Sequence, residues 1–180
     1  MDFINCISSR RSVRQFDSTP INHAAIEQIV KLASYSPSWK NSQTVRYTLV
    51  EDAAVKASLA EHAASVFPHN GKIISSAPAL MVLSSIRYRC GYERDGSFST
   101  SKGDSWEMFD AGIAAQSFCL AAHSMGLGTV IMGIFDENVV ASLVDLPVNQ
   151  RVAALIAIGH PAEMPIMPKR KDVDELLRFV

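Results

Sequence analysis

Four short apolar runs, set between stretches of helical periodicity, predict one layered domain, α/β or α+β, in which helices cover a central sheet. The runs lie near 44–50, 79–86, 128–133 and 151–158. Two of them, ALMVLSSI and RVAALIAI, are almost wholly apolar, as expected for strands covered on both faces. A further observation is the stretch SWEMFDAGIAAQSFCLAAHS (105–124), which reads as one helix with almost no polar face. Such a helix belongs at the centre of a domain or in a subunit contact. A chain of 180 residues suffices for one domain over 1–180.

In chain order, residues 2–9 predict a short helix with Phe3, Ile4 and Ile7 on one side. RRSVRQF (10–16) follows, with Arg10 and Arg14 facing the same way and Ser12 joining them only if the segment is extended. Asn22 is suited to cap a helix over 23–34, whose buried stripe is Ile26, Ile29, Val30 and Ala33. Pro37 ends it and opens the polar loop SPSWKNSQ (36–43) before the alternating strand TVRYTLV. Asp52 is expected to cap a helix reaching residue 67, and 68–77 to be irregular or a single turn. The polar stretch 87–104 is long for a compact domain and is expected to be a lid.

In the helix over 105–124, the stripe Trp106, Phe109, Ile113, Ser117 and Leu120 recurs at three- and four-residue steps, with alanines filling the other sides. Asp104, Glu107 and Asp110 argue against a membrane span. Gly126 suits a left-handed cap, and Gly128 begins the next strand. Asp136 caps a short helix before the last strand. The tail over 160–180 carries prolines and then Lys169, Arg170 and Lys171, and is expected to wrap over another surface.

A net charge of −1 gives no general attraction to nucleic acid or acidic membranes, so an anion site must come from local clustering. The first residues show no secretory signal pattern, and three widely spaced cysteines predict reduced thiols in a cytoplasmic protein. No metal-ligand spacing, phosphate-binding glycine loop, hydrolase elbow or paired-carboxylate motif is present, so no catalytic side chain is assigned. Cys119 and His123 share a helix face, but a thiol in so apolar a helix reads as structural. What remains is donors in three segments, 10–14, 38–43 and 169–171. They suit a ligand with a phosphate at one end and a polar heterocycle at the other.

RRSVRQF, SPSWKNSQ, FDAGIAAQSFCLAAHSMGLGT and the terminal PKRK resemble, in order and spacing, the nitroreductase family of FMN-dependent oxidoreductases, among its short members. The resemblance implies an α+β three-layer sandwich, with a central, mostly antiparallel sheet flanked by helices, forming an intertwined homodimer with FMN at its interface. The 160–180 tail would then wrap the partner subunit. By the same resemblance, Arg10, Arg11 and Ser12 would hold the phosphate and ribityl end of FMN, and Arg14 the pyrimidine edge. Ser38, Trp39, Asn41 and Gln43 would bond or frame the ring, partly across the dimer. Ile131, Met132 and Gly133 would lie against its face, and one or more of Lys169, Arg170 and Lys171 would return to the phosphate.

The activity implied is passage of hydride from NADH or NADPH through flavin N5 to nitroaromatic, quinone or similar small acceptors in two steps. Thr44-Val45 stands where many members have Pro-Trp, and Trp39-Lys40 replaces smaller residues. Those departures bear on substrate choice. The scaffold also hosts dehalogenases, flavin-cleaving enzymes and thiazoline-type oxidases, and a non-catalytic flavin-binding dimer is a further alternative.

Overall fold

The computed structural model describes residues 1–180 and places four antiparallel strands in the order β1-β2-β4-β3. The strands are β1 (Val45–Val50), β2 (Ala79–Ile86), β3 (Gly128–Met132) and β4 (Gln150–Gly159). Helices α1 (Phe3–Ser9), α2 (His23–Ala33), α3 (Ala53–Ser58), α4 (Pro68–Ser76), α5 (Ser105–Ser124), α6 (Glu137–Leu143) and α7 (Val173–Leu176) complete the chain. The expected α+β class holds, and every sheet pairing is antiparallel.

Strand alternation divides the core in two. Leu80 and Val82 of β2 pack with Leu155 and Ala157 of β4 against α4 and α6. Ala79, Met81 and Leu83 pack with Ile156 and Ile158 against α2 and α5. Both faces of the two central strands are therefore dry, which explains their uninterrupted apolar sequences. A bulge at Leu83/Ser84 shifts the register so that Val152 and Leu155 share a face.

Caps behave as their sequences suggest. Asn22 accepts from the Ala24 N–H, Asp52 from Ala54 and Val55, and Asp136 from Asn138 and Val139. Gly126 takes φ +82° after α5.

Three expectations are corrected. The stretch over 68–77 is a nine-residue helix, α4. Asn70 and Gly71 disfavour a helix locally, but Pro68 suits its first position and burial of Ile73 and Ile74 in the core overrides the rest. The helix begun at Asp52 ends early, in a π turn over Leu59–Ala63, where α4 crosses it closely. A Cβ on Gly71 would lie 2.7 Å from the Ala60 carbonyl oxygen. Finally, α5 buries its small side: Ala111, Ala114, Ala115, Phe118, Cys119 and Ala122. Phe109, one of the stripe on a helix expected at a domain centre or in a subunit contact, is 58% exposed. Met81, Leu83, Ile156 and Ile158 already fill the space above the sheet, so only a face of small side chains can approach.

The segment after α1 runs extended along the outer edge of β3. Ser12 bridges Thr129 in parallel, and the Val13 N–H donates to the Thr129 carbonyl at 3.0 Å. Gly128 makes this approach possible, since a Cβ there would lie 2.8 Å from the Val13 Cβ. On the far side the segment meets the chain leaving β4, with Asp17 N–H donating to the His160 carbonyl and Ala162 N–H to that of Gln15. Gly128→Ala should lower the free energy of urea unfolding by about 1–3 kcal/mol, because β-branched Val13 has little freedom to give way. An unchanged urea midpoint would contradict this packing.

Candidate functional site

Extension of residues 10–14 puts Val13 inward and leaves three guanidinium groups near the surface with no carboxylate partner. None of Arg10, Arg11 and Arg14 makes an ion pair. Arg11 donates to the carbonyls of Ser8 and Arg10, and Arg14 to that of Ser12 at 3.1 Å. The nearby carboxylate, Glu163, is turned to the backbone instead: it accepts from the Arg14 N–H at 2.7 Å and from Gln15 at 3.2 Å. Burial first, then the charges of Arg10 and Arg11, push the His123 imidazole below its ordinary value. Its Nε2 lies 2.8 Å from Ser9 Oγ.

Arg14 lines a cavity of about 590 Å³ with His69, Lys72, Ile73 and Glu163. His69 and Lys72 come from α4, the helix that sequence reasoning left irregular, and so were missed. The signal that could have found them is a helix bringing its polar side to the cationic segment. Lys72 makes no ion pair either.

Loop 38–43 forms a tight knuckle. Lys40, Asn41 and Gln43 all have positive φ, at 45°, 53° and 47°, an uncommon concentration for residues with side chains. The bend is closed by Asn41 N–H to the Ser38 carbonyl, Gln43 N–H to Ser38 Oγ, and Gln43 Nε2 to Asn41 Oδ1. Trp39 packs against Trp106 of α5 with ring centroids 4.7 Å apart and the rings tilted by 44°. Ser38 and Gln43 line a second cavity, of about 650 Å³, with Arg46, Tyr47, Asp110 and Ala114. Burial raises the Tyr47 phenol to about 12, so it stays neutral.

The remaining candidates fall as follows. On β3 the Ile131 side chain is 46% exposed, on the same edge as Ser12. Met132 points the other way and is 3% exposed among Val130, Val140 and Leu155, so only its backbone is available. Gly133 is exposed. Lys169, Arg170 and Lys171 lie in the exposed tail; Lys171 Nζ is 3.7 Å from Glu175 Oε2, and no hydrogen bond or ion pair joins them to residues 10–14. Within one chain, therefore, the cationic segment and the knuckle border separate cavities.

The match with a family model settles the relationship. The Nitroreductase family model matches residues 7–160. The chain belongs to the nitroreductase family. It is 29% identical to an oxygen-insensitive NADPH nitroreductase from Helicobacter pylori, over 94% of this chain and 93% of that protein. An iodotyrosine deiodinase from Haliscomenobacter hydrossis is 26% identical, over 95% and 85%. A family protein from Desulfovibrio desulfuricans, solved in complex with FMN, superposes with a TM-score of 0.76 at 26% identity, covering 97% of this chain and 94% of that one.

The donor set fits FMN. Unneutralised Arg10, Arg11, Arg14 and Lys72 suit a phosphate and a carbonyl-bearing ring edge, and exposed Ile131 on the β3 edge leaves an apolar surface beside them. No metal-binding group of His, Cys, Asp or Glu is formed, and no helix is long and apolar enough to cross a membrane.

Burial also lifts Glu107, 2% exposed, above the ordinary carboxyl value of 4.5, although its acceptance of the Tyr88 N–H opposes the rise. A raised folded-state value stabilises the protein below the unfolded value and loses that contribution as pH climbs through the folded one. Wild-type stability should thus decline on going above pH 4.5, and Glu107→Gln should flatten that decline. Superimposable stability–pH profiles would refute the assignment.

Proposed function

We propose that this chain is an FMN-dependent oxidoreductase that takes hydride from NADH or NADPH and passes it to nitroaromatics, quinones or similar small acceptors by a two-step, ping-pong route. The observation that carries the reading is the run of guanidinium groups without carboxylate partners beside β3, the last of which, Arg14, lines a cavity with Lys72. Relatives described as an NADPH nitroreductase and as an FMN-bound family protein support it.

Bound FMN would supply the hydride-accepting and hydride-donating centre. In this reading Arg10, Arg11 and Ser12 bind the phosphate and ribityl end through charge-assisted bonds. Arg14 and Lys72 place positive charge at the pyrimidine edge, which favours the reduced, anionic ring. Ser38, Trp39, Asn41 and Gln43 frame the ring. Ile131 gives it an apolar floor, while Met132 and Gly133 contribute backbone alone. One or more of Lys169, Arg170 and Lys171 reach the phosphate of a second copy. No side chain acts as an acid or base.

The working form in this proposal is a cytoplasmic homodimer of single domains spanning 1–180, with 87–104 as the pocket's cover and the 160–180 tail laid over the partner. Exposed Phe3, Ile4 and Phe109 on α1 and α5, and exposed Leu176, Leu177 and Phe179 in the tail, are apolar surface of the kind subunit contacts cover. Three free cysteines suit a reducing compartment. The deiodinase relative favours one second reading, a specialised reductive reaction on a halogenated phenol by the same flavin.

The purified protein should be yellow or take up added FMN, bleach anaerobically with NADH or NADPH, and regain colour with a nitroaromatic or quinone. Colourless protein that binds no FMN would overturn the proposal; bleached protein reoxidised by an iodinated phenol alone would establish the second reading. Arg14→Ala and Lys72→Ala should each weaken FMN binding about tenfold, the equivalent of about 1.4 kcal/mol. Arg14→Ala should also lower the flavin reduction potential, read by dye equilibration.

A further inference from the structure

Two carboxylates lie one helical turn apart on α5, a helix otherwise buried through alanines. Glu107 is 2% exposed and Asp110 3% exposed, and neither has a partner in an ion pair. Each is turned to the backbone of a different loop. Glu107 accepts from the Tyr88 N–H at 2.9 Å, at the head of the 87–104 segment. Asp110 Oδ2 accepts from the Trp39 N–H at 2.8 Å and from the Cys90 thiol at 3.1 Å. The loop residues so held are strained or adjoin strain: Tyr88 has φ 61°, and Lys40 and Asn41, next to Trp39, have φ 45° and 53°. A conformation of that cost persists only where its surroundings over-determine it.

We propose that Asp110 is the positioning residue of the site: its buried carboxylate fixes the Trp39 backbone and so sets the knuckle 38–43 that frames the flavin. The inference rests on the function proposed above and names the residue that orders its ring-binding loop. The Trp39 N–H donates to Asp110 Oδ2 with the Cys90 sulfur beside it; the bonds inside the knuckle close it on itself, and at its far end Arg46 of β1 donates to the Gln43 carbonyl at 2.8 Å. Two further ties exist: Ser36 Oγ to Ser117 Oγ at 2.7 Å, which precedes the left-handed residues, and Lys40 Nζ to Glu93 Oε1 at 2.9 Å, an exposed pair at the end of a long side chain that fixes the backbone less firmly. Asp110 also lines the cavity that Ser38 and Gln43 line, so displacing the loop reshapes that wall. Its thiol partner, Cys90, is held protonated by burial and by Asp110, and so remains a donor.

The test uses the full-length protein freed of flavin. Hydrogen exchange of the wild type should show the Trp39 amide protected at least a hundredfold; an unprotected amide overturns the proposal whatever any variant does. Asp110→Leu, which keeps the branched shape but removes the acceptor, should speed exchange across 36–44 and weaken FMN binding at least tenfold by fluorescence titration. Asp110→Asn, which keeps one acceptor oxygen, should stay within threefold of wild type. Cys90→Ala, which leaves the Trp39 bond intact, should also stay within threefold. A folded Asp110→Leu protein with unchanged exchange and unchanged FMN affinity overturns the proposal, as does a Cys90→Ala loss equal to that of Asp110→Leu. Wild type that protects Trp39 yet binds no FMN would instead defeat the functional reading while leaving the anchor in place.

Discussion

The free edge of β3 is the constraint on which the candidate site is built. A sheet edge presents unpaired backbone groups and must be covered or paired. Here it takes up the segment after α1, through the Ser12–Thr129 bridge and the Val13 side chain lodged over Gly128. The other side of that segment is gripped by the chain leaving β4, including Glu163. An extended strand buries alternate side chains, so anchoring Val13 turns its neighbours outward. Arg14, next to Val13, and Arg10, four residues before Arg14, are thus presented by backbone pairing, not by ion pairs.

That arrangement resolves a tension in the composition. A chain of net charge −1 has no long-range pull on a phosphate. Local density replaces it: three arginines fall within five residues, and Lys72 and His69 approach from α4. The one carboxylate beside them, Glu163, is spent on two backbone N–H groups. Acids elsewhere take their own cations, as Glu93 does with Lys40 and Glu137 with Arg87 and Arg151. Arg14 and Lys72 therefore bring positive charge to one cavity wall, with Arg10 and Arg11 next along the chain, inside a nearly neutral protein.

Local patterns made the strands, the Asn22, Asp52 and Asp136 caps and the Gly126 stop legible in the sequence. Arg10, Arg11, Ser12 and Arg14 stood out as a local cluster of donors, but a solvated basic face reads the same way along the chain, and their proposed role comes from the family resemblance. Lys72 was hidden by a segment, PHNGKIISS, whose local preferences oppose the helix that tertiary packing imposes. Which side of α5 meets the sheet was hidden for a related reason: periodicity identifies apolar stripes, as with exposed Phe109, but not which of them the sheet has room for. Asp110 was read only as a mark against a membrane span, since nothing along the chain couples it to Trp39, 71 residues away in sequence. Partners brought together by the fold alone leave no periodic trace.

Buried acids invite assignment as proton carriers, and Glu107 and Asp110 are the two such groups on α5. Their bonding argues otherwise. A general acid or base must reach the proton it moves, whereas the bonded oxygens of both carboxylates are occupied by loop donors: Tyr88 for one, Trp39 and Cys90 for the other. Removing a donor's buried partner leaves an unsatisfied group, which costs about 1–3 kcal/mol, so these contacts resist exchange for a passing substrate. The charge on α5 is therefore structural in its bonding and functional in its consequence. It holds two strained loops in place, the knuckle 38–43 beside a cavity, and in the proposed function leaves the redox chemistry to bound FMN.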